Sequence, residues 1–281
     1  MAIGTLYVVG TPLGHLGDLS ERVIATLRTV AVVAAEDTRH SRRLLSAIGA
    51  SPRKLLSYHA HSDRGREETF LELLRAGEDV ALITDAGTPA VSDPGVDLVA
   101  AAHAEGIRVV PIPGPSAVAT LLSAGGMAAD RYLFLGFVPR KGRERRELLA
   151  RAIASPFTVV WFEAANRLAH LLEDLVELAG PDRVAVVGRE LTKIHEEVRR
   201  GPLQALLVHY RLHPPLGEVT LLLAGLPEPV REAPDAAALG LAQDAIREWL
   251  SAGESRREVV RRVSAEFGLS RNDAYRLVMD T

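Results

Sequence analysis

At 281 residues, with 47% hydrophobic and 25% charged residues and a mean hydropathy of +0.09, the chain is too long for one small core and too apolar for a disordered or fibrous protein. Its formal charge of −3 makes no global case for nucleic-acid binding, so such a role has to rest on a local basic patch. The absence of cysteine excludes a disulfide scaffold, cysteine-ligated zinc, an iron–sulfur cluster and a cysteine nucleophile.

The N-terminus has no basic leader, and no stretch reaches about 18 uninterrupted apolar residues, so a cytoplasmic protein with no membrane partner is expected. Only Lys54, Lys141 and Lys193 among the 33 basic residues are lysine, and Asn and Gln total four, a bias that suits either GC-rich coding or a hot habitat.

Strand and helix alternate from the start. Residues 6–9 read as a strand, 19–28 as a helix, 30–35 as a strand, 38–48 as a helix, 55–58 as a short strand and 64–75 as a helix. The runs 80–84 and 107–112 are continuously apolar and bounded by Gly and Pro, the pattern of parallel strands covered on both faces. A helix over 116–123 and the pair Gly125-Gly126 end this α/β domain, placed at 1–125.

A second alternation follows, with strands at 132–137, 157–162, 183–187 and 218–224 and helices at 144–154, 168–178 and 202–210, giving a domain over 126–226. Pro227, Pro229 and Pro234 mark a linker over 226–235. Three short amphipathic helices make a small module over 236–281, its last two in helix-turn-helix-like spacing. From 237 onward it has seven basic and seven acidic residues, so charge alone does not mark it as a nucleic-acid binder rather than a docking or dimerisation module.

Loops after parallel strands are where ligands bind in open sheets. Three here are rich in Gly and Pro, namely Gly10-Thr-Pro-Leu-Gly14, Thr84 to Gly95 and Pro111-Ile-Pro-Gly-Pro-Ser-Ala117, and a fourth carries the acidic pair of Ala35-Glu-Asp-Thr-Arg39. Any one could be an ordinary turn; three at corresponding ends point to a pre-formed ligand site. Neither G-x-G-x-x-G nor the phosphate-cradling G-x-x-x-x-G-K-[ST] occurs, and H-E-x-x-H is absent. His59 and His61 are the only close histidine pair, and no metal is expected there.

These loops, with Gly136-Phe-Val-Pro-Arg140, Arg189-Glu-Leu-Thr-Lys193 and Gly217-Glu-Val-Thr220, resemble the ribosomal RNA small subunit methyltransferase I family of the tetrapyrrole methylase superfamily, in order from about residue 4 to 225. The resemblance implies two α/β domains of the tetrapyrrole methylase type with a cleft between them, plus the helical module. It implies an enzyme that methylates the ribose 2′-hydroxyl of a cytidine in 16S rRNA with S-adenosylmethionine (SAM), within the small ribosomal subunit and as a homodimer. Carried over by motif, the cofactor contacts are Pro12, Asp85, Ala86, Gly87, Ser116, Ala117, Phe162, Glu163, Leu191, Val219 and Thr220. Asp85 and Ser116 could instead cap turns or helices, and Glu163 could simply pair with Arg167. The chain departs from the family at His59-Ala-His-Ser62, often His-Glu-His-Asn, and at Ala165-Asn166, often Pro-His.

A ribose hydroxyl attacks a sulfonium methyl only when its proton is accepted or it is held in line. Glu36 and Asp37 are the candidate bases, with Arg39 and Lys193 as positioning groups; an ion-pair network joining the domains is the competing role. Arg140, Lys141, Arg143, Arg145 and Arg146, followed by Arg151, face only Glu144 and Glu147 and form the basic stretch expected to meet RNA. Two other functions remain open: a methyltransferase for a tetrapyrrole precursor, which would leave the basic stretch and the tail unexplained, and a non-catalytic RNA-binding assembly factor on the same scaffold.

Overall fold

Five strands of the N-terminal half, each followed by a helix, assemble into one parallel sheet of order β3-β2-β4-β1-β5. In chain order they are β1 (Thr5–Val9), α1 (Glu21–Thr29), β2 (Val32–Ala35), α2 (Thr38–Ala47), β3 (Lys54–Ser57), α3 (Arg64–Arg75), β4 (Val80–Ile83), α4 (Val96–Ala104), β5 (Arg108–Ile112) and α5 (Ala117–Ala124). These belong to a computed structural model that describes residues 3–59, 64–226, 236–269 and 271–281.

The strand alternation divides the core in two. Val9, Val33, Ala81 and Ile83 pack with Val23, Leu27 and Leu45 of α1 and α2. Leu6, Val32, Val80 and Leu82 pack with Phe70, Leu74 and Leu98 of α3 and α4. All four residues of β2 and of β4 are buried, as the continuous apolar runs require of inner strands.

The second half contains β6 (Tyr132–Phe137), α6 (Gly142–Ile153), β7 (Thr158–Ala164), α7 (Leu168–Ala179), β8 (Val184–Arg189), β9 (Glu197–Pro202), α8 (Leu203–Leu212) and β10 (Glu218–Leu223). Their sheet, β6-β7-β10-β8-β9, is parallel only between β6 and β7 and antiparallel elsewhere. The strand β9 was not expected from sequence. It is an edge strand that carries Glu197, Arg199 and Arg200, and charge is what keeps an edge from pairing with another chain.

One face of this sheet is covered by α6, α7 and α8 around Trp161, Leu171, Leu203 and Tyr210. The other face receives α5: Val118, Leu121 and Leu122 meet Val160, Val186 and Leu222. A Cβ on Gly188 would lie 2.5 Å from a methyl carbon of Leu121, so glycine is what lets this helix seat. The seam between the two sheets is therefore an apolar core, and Met1–Leu226 forms one compact unit.

The second unit, Pro227–Thr281, contains α9 (Ala236–Ser251), α10 (Arg256–Glu266) and α11 (Arg271–Met279) around Ile246, Trp249, Val259, Val263, Ala274 and Val278. Ser255 and Glu258 close a reciprocal capping box at the start of α10. The linker residues 227–235, and Ser270 in the expected turn, lie outside the described residues. Among the described residues no helix is long and apolar enough to cross a membrane.

Candidate active site

The Gly/Pro loops are tied together by their backbones. Thr11 donates its amide to the Gly87 carbonyl at 2.8 Å and accepts the Gly87 amide at 3.1 Å, while its buried hydroxyl donates to the Thr84 carbonyl at 3.0 Å. Gly87 holds φ +90, a conformation that favours glycine. The loops after β1 and β5 cross so closely that a Cβ on Gly10 would lie 2.8 Å from the backbone of Gly114. Gly10→Ala is expected to lower stability by about 1–3 kcal/mol and to weaken cofactor binding as the crossing spreads, read by thermal melting and calorimetry.

Below this crossing lies a cavity of about 320 Å³ between the carboxyl edge of the first sheet and the second sheet. Leu13, Glu36, Thr84, Asp85, Ala86, Asp93 and Ala117 line it from the first half; Phe162, Glu163, Leu191, Val219 and Thr220 line it from the second. Gly87 and Ser116 line a smaller adjoining pocket of about 40 Å³ that shares Leu13, Ala86, Ala117 and Phe162. Pro12 lines neither; it is half-buried beside Thr11. Ser116 also caps α5, accepting from the Ala119 amide at 3.5 Å.

The walls are acidic. Glu36, Asp85, Asp93, Glu163, Glu190 and Glu218 face only one cation among the lining residues, Lys193. Lys193 Nζ donates to Glu190 Oε1 at 3.0 Å, and its stem covers Gly14, where a Cβ would lie 2.2 Å from Lys193 Cγ. Glu190 in turn occupies the space a Gly217 side chain would take, with Gly217 at φ +79. The glycines of two motifs thus make room for one ion pair. Among the described residues, no three His, Cys, Asp or Glu side chains are gathered so as to hold a metal ion.

Glu36 Oε2 accepts the Thr84 hydroxyl at 2.6 Å and the Asp85 amide at 3.4 Å. Thr84 also favours the charged form of Asp93, an effect outweighed by burial. Burial, with the charge of Glu36 next in size, pushes the Asp93 carboxyl up to about 7. Asp85 is also raised, chiefly by burial.

Glu163 is raised as well, mainly by burial and against its own pairing with the Ala164 amide and Arg167. Its Oε1 accepts from the Ala164 amide at 2.8 Å and from Arg167, whereas Oε2 is buried with no partner among the described residues.

Asp37 and Arg39 do not line the cavity. Asp37 caps α2 through the Arg39 amide at 2.8 Å and holds the Arg39 guanidinium at 2.7 and 3.2 Å. The guanidinium keeps this carboxyl well below the usual carboxylate range, leaving Asp37 a poor proton acceptor. His61, with Ala60, Ser62 and Asp63, lies outside the described residues.

Sequence reasoning gave no role to Asp93, Glu190, Glu218 or Phe137, although all four lie inside or beside the quoted motifs. The available signal was the loop itself. Ala90 (φ 67) and Ser92 (φ 63) hold left-handed conformations just before Asp93, a strain that sites tend to retain. Phe137, 52% exposed, lines the cavity and packs tilted against Phe162, with ring centroids 5.3 Å apart. The register shift between Phe134 and Phe137, with Gly136 at φ +64, lets Ser92 approach the strand.

Beyond Phe137 the basic stretch divides. Arg140, Lys141, Arg143 and Arg146 are exposed, Arg143 pairing with Glu147. Arg145 is withdrawn from the surface: it is buried, donates to the Pro139 carbonyl at 3.0 Å and pairs with Asp174. Arg145→Ala is expected to cost about 3 kcal/mol of stability, seen as a lower Tm, and to leave RNA affinity intact.

The two-sheet α/β scaffold is one that known methyltransferases share. Residues 5–207 match the family of tetrapyrrole (corrin/porphyrin) methylases. Among solved structures, a diphthine synthase superposes with TM-score 0.63 at 16% identity, covering 79% of this chain and 90% of that one. A uroporphyrin-III-C-methyltransferase from Thermus thermophilus gives 0.56 at 20%, covering 79% and 94%. Among curated relatives, the ribosomal RNA small subunit methyltransferase I of Synechocystis sp. is 40% identical over 99% of this chain and 98% of its own. That of Micromonospora olivasterospora is 43% identical, over 98% and 86%.

The chain belongs to the tetrapyrrole methylases and, within them, to the ribosomal RNA small subunit methyltransferase I family. It is a methyltransferase, and its methyl donor is SAM. The cavity suits that donor. Its carboxylates would repel a phosphate-bearing cofactor and attract a sulfonium and an ammonium, the free Glu163 Oε2 requires a hydrogen-bond donor, and Leu13, Phe162, Leu191 and Val219 are apolar.

Proposed function

We propose that this protein methylates the ribose 2′-hydroxyl of a cytidine in 16S rRNA, acting as a cytoplasmic homodimer on the small ribosomal subunit. The observation that carries the reading is the acid-lined cavity whose exposed aromatic rim, Phe137, runs directly into the exposed cations Arg140 and Lys141. A base can stack at the rim while phosphates meet the cations. In this reading residues 1–125 and 126–226 act as two domains, each giving one wall of the cavity. The polycarboxylated precursors of tetrapyrroles would meet a lining of six carboxyl side chains against one lysine, which disfavours that alternative.

SAM held there would supply a methyl group on a positive sulfur, which would keep the C–S electron pair as the methyl passed to the ribose oxygen. Asp93 takes the hydroxyl proton. Near neutrality it exists in both protonation states, the condition for an effective general base. Glu36, fixed by Thr84 and the Asp85 amide, keeps Asp93 basic rather than accepting the proton itself. Lys193, held by Glu190, orients the acceptor ribose. Pro12, Asp85, Ala86, Gly87, Ser116 and Ala117 on one side, and Phe162, Glu163, Leu191, Val219 and Thr220 on the other, bind the cofactor.

Reversing two exposed cations, Arg143→Glu with Arg146→Glu, is expected to weaken RNA binding at least tenfold and to reduce its salt dependence, with SAM affinity unchanged. Equal RNA affinity in filter binding would remove this helix from the RNA-facing surface.

A further inference from the structure

The C-terminal unit looks neutral when its charges are counted, but the fold sorts them. Arg262 lies over Trp249, 4.1 Å from the ring centroid, and pairs with Glu254 at 2.7 Å and Glu266 at 2.9 Å. Arg247 pairs with Asp244. Four of the remaining guanidinium groups gather elsewhere: a groove of about 1170 Å³ between α10 and α11 is lined by Arg256, Arg257, Arg261 and Arg271, with Tyr275 and Met279.

None of these four arginines forms an ion pair among the described residues; the ion pairs of this unit use Arg247 and Arg262. The one carboxylate in the groove wall, Glu258, is held by the hydroxyl and amide of Ser255. Arg256 Nη1 reaches Met279 Sδ at 3.3 Å and links the two helices across the groove. Tyr275 is 54% exposed although Ala274 and Val278 beside it are fully buried, so its ring faces outward from a firmly packed helix.

We propose that this groove binds a single-stranded segment of the RNA substrate, its arginines on successive phosphates and Tyr275 stacked on a base. The inference rests on the rRNA methyltransferase reading above. Arg257 and Arg261 stand about one helical turn apart, about 6 Å along the axis, close to the spacing of phosphates in an extended strand. Guanidinium groups match phosphate oxygens in pairs, and an exposed aromatic ring adds sequence-tolerant stacking. An acidic protein surface would satisfy the arginines but leave the tyrosine ring without a matching partner.

The test uses full-length protein, with naked small-subunit rRNA and assembled small subunits as probes over a range of salt. The variants are Arg257→Glu with Arg261→Glu, the milder pair Arg257→Gln with Arg261→Gln, and Tyr275→Ala. All positions are exposed, and thermal melting checks the fold. The double reversal is expected to weaken naked-RNA binding at least tenfold, with SAM affinity unchanged. The Gln pair should lower the slope of log affinity against log salt by about 1.4, two contacts at about 0.7 each. Tyr275→Ala is expected to weaken binding about tenfold with an unchanged slope. If the wild type binds and methylates rRNA while the variants keep its affinity and slope, the groove has no part in RNA binding. Loss of binding to assembled subunits alone, with naked RNA unaffected, would overturn the proposal in favour of a ribosomal protein. A wild type that neither binds nor methylates rRNA would instead overturn the underlying functional reading.

Discussion

Asp93→Asn is expected to lower kcat by about two to four orders of magnitude, the usual contribution of a positioned general base, while SAM affinity stays close to that of the wild type. The side chain keeps its size, but it no longer accepts the hydroxyl proton. The pH dependence gives a sharper signature. Only deprotonated Asp93 accepts a proton, so kcat is expected to rise with pH through about 7 and level off above it. That limb should vanish in Asp93→Asn. In Glu36→Gln it should move to lower pH, because removing the neighbouring negative charge makes Asp93 more acidic. Stability follows the opposite trend. With a folded pKa above the unfolded one, the folded state keeps a proton that the unfolded chain has lost, so Asp93 makes stability fall between about pH 4 and about pH 7. Calorimetric unfolding of Asp93→Asn should show a smaller decline over that window. A wild-type limb that persists unchanged in the variant would assign proton acceptance elsewhere.

Glu163→Gln is expected to weaken SAM binding by roughly ten- to a hundredfold, the effect of losing a hydrogen bond to a charged group, about 1.5–3 kcal/mol. Glu163 Oε2 is buried away from bulk solvent and has no protein partner among the described residues. Such an atom is costly until a donor arrives, so binding energy is gained there when the cofactor is seated. Titration calorimetry reads the effect directly, with rRNA affinity as the control that should not change. An unchanged Kd would reduce Glu163 to its ion pair with Arg167.

Much of the first sheet was legible in the sequence because inner parallel strands announce themselves as unbroken apolar runs, as at Val80–Ile83. The second sheet was less so. Alternation of strand and helix carries no sign of strand direction, and β9 hides its pairing behind Glu197, Arg199 and Arg200. The cavity residues Asp85 and Thr220 were reachable through their motifs and Glu163 through the family resemblance, but Asp93 became distinct only once its burial beside Glu36 was known. Arg145 shows the reverse. Within a basic run it cannot be told from its neighbours, yet helical spacing turns it inward onto Asp174 while Arg143 and Arg146 stay exposed. The sorting of charges in the C-terminal unit is likewise a property of helix faces that a count of seven against seven cannot express.

Methyl transfer from labelled SAM to small ribosomal subunits that lack the modification, with naked rRNA and a tetrapyrrole precursor as parallel acceptors and the labelled nucleotide mapped afterwards, decides the substrate. Label is expected on the 2′-oxygen of one cytidine of 16S rRNA and none on the tetrapyrrole. Label on the tetrapyrrole alone, or on a base rather than a ribose, would contradict the proposed function.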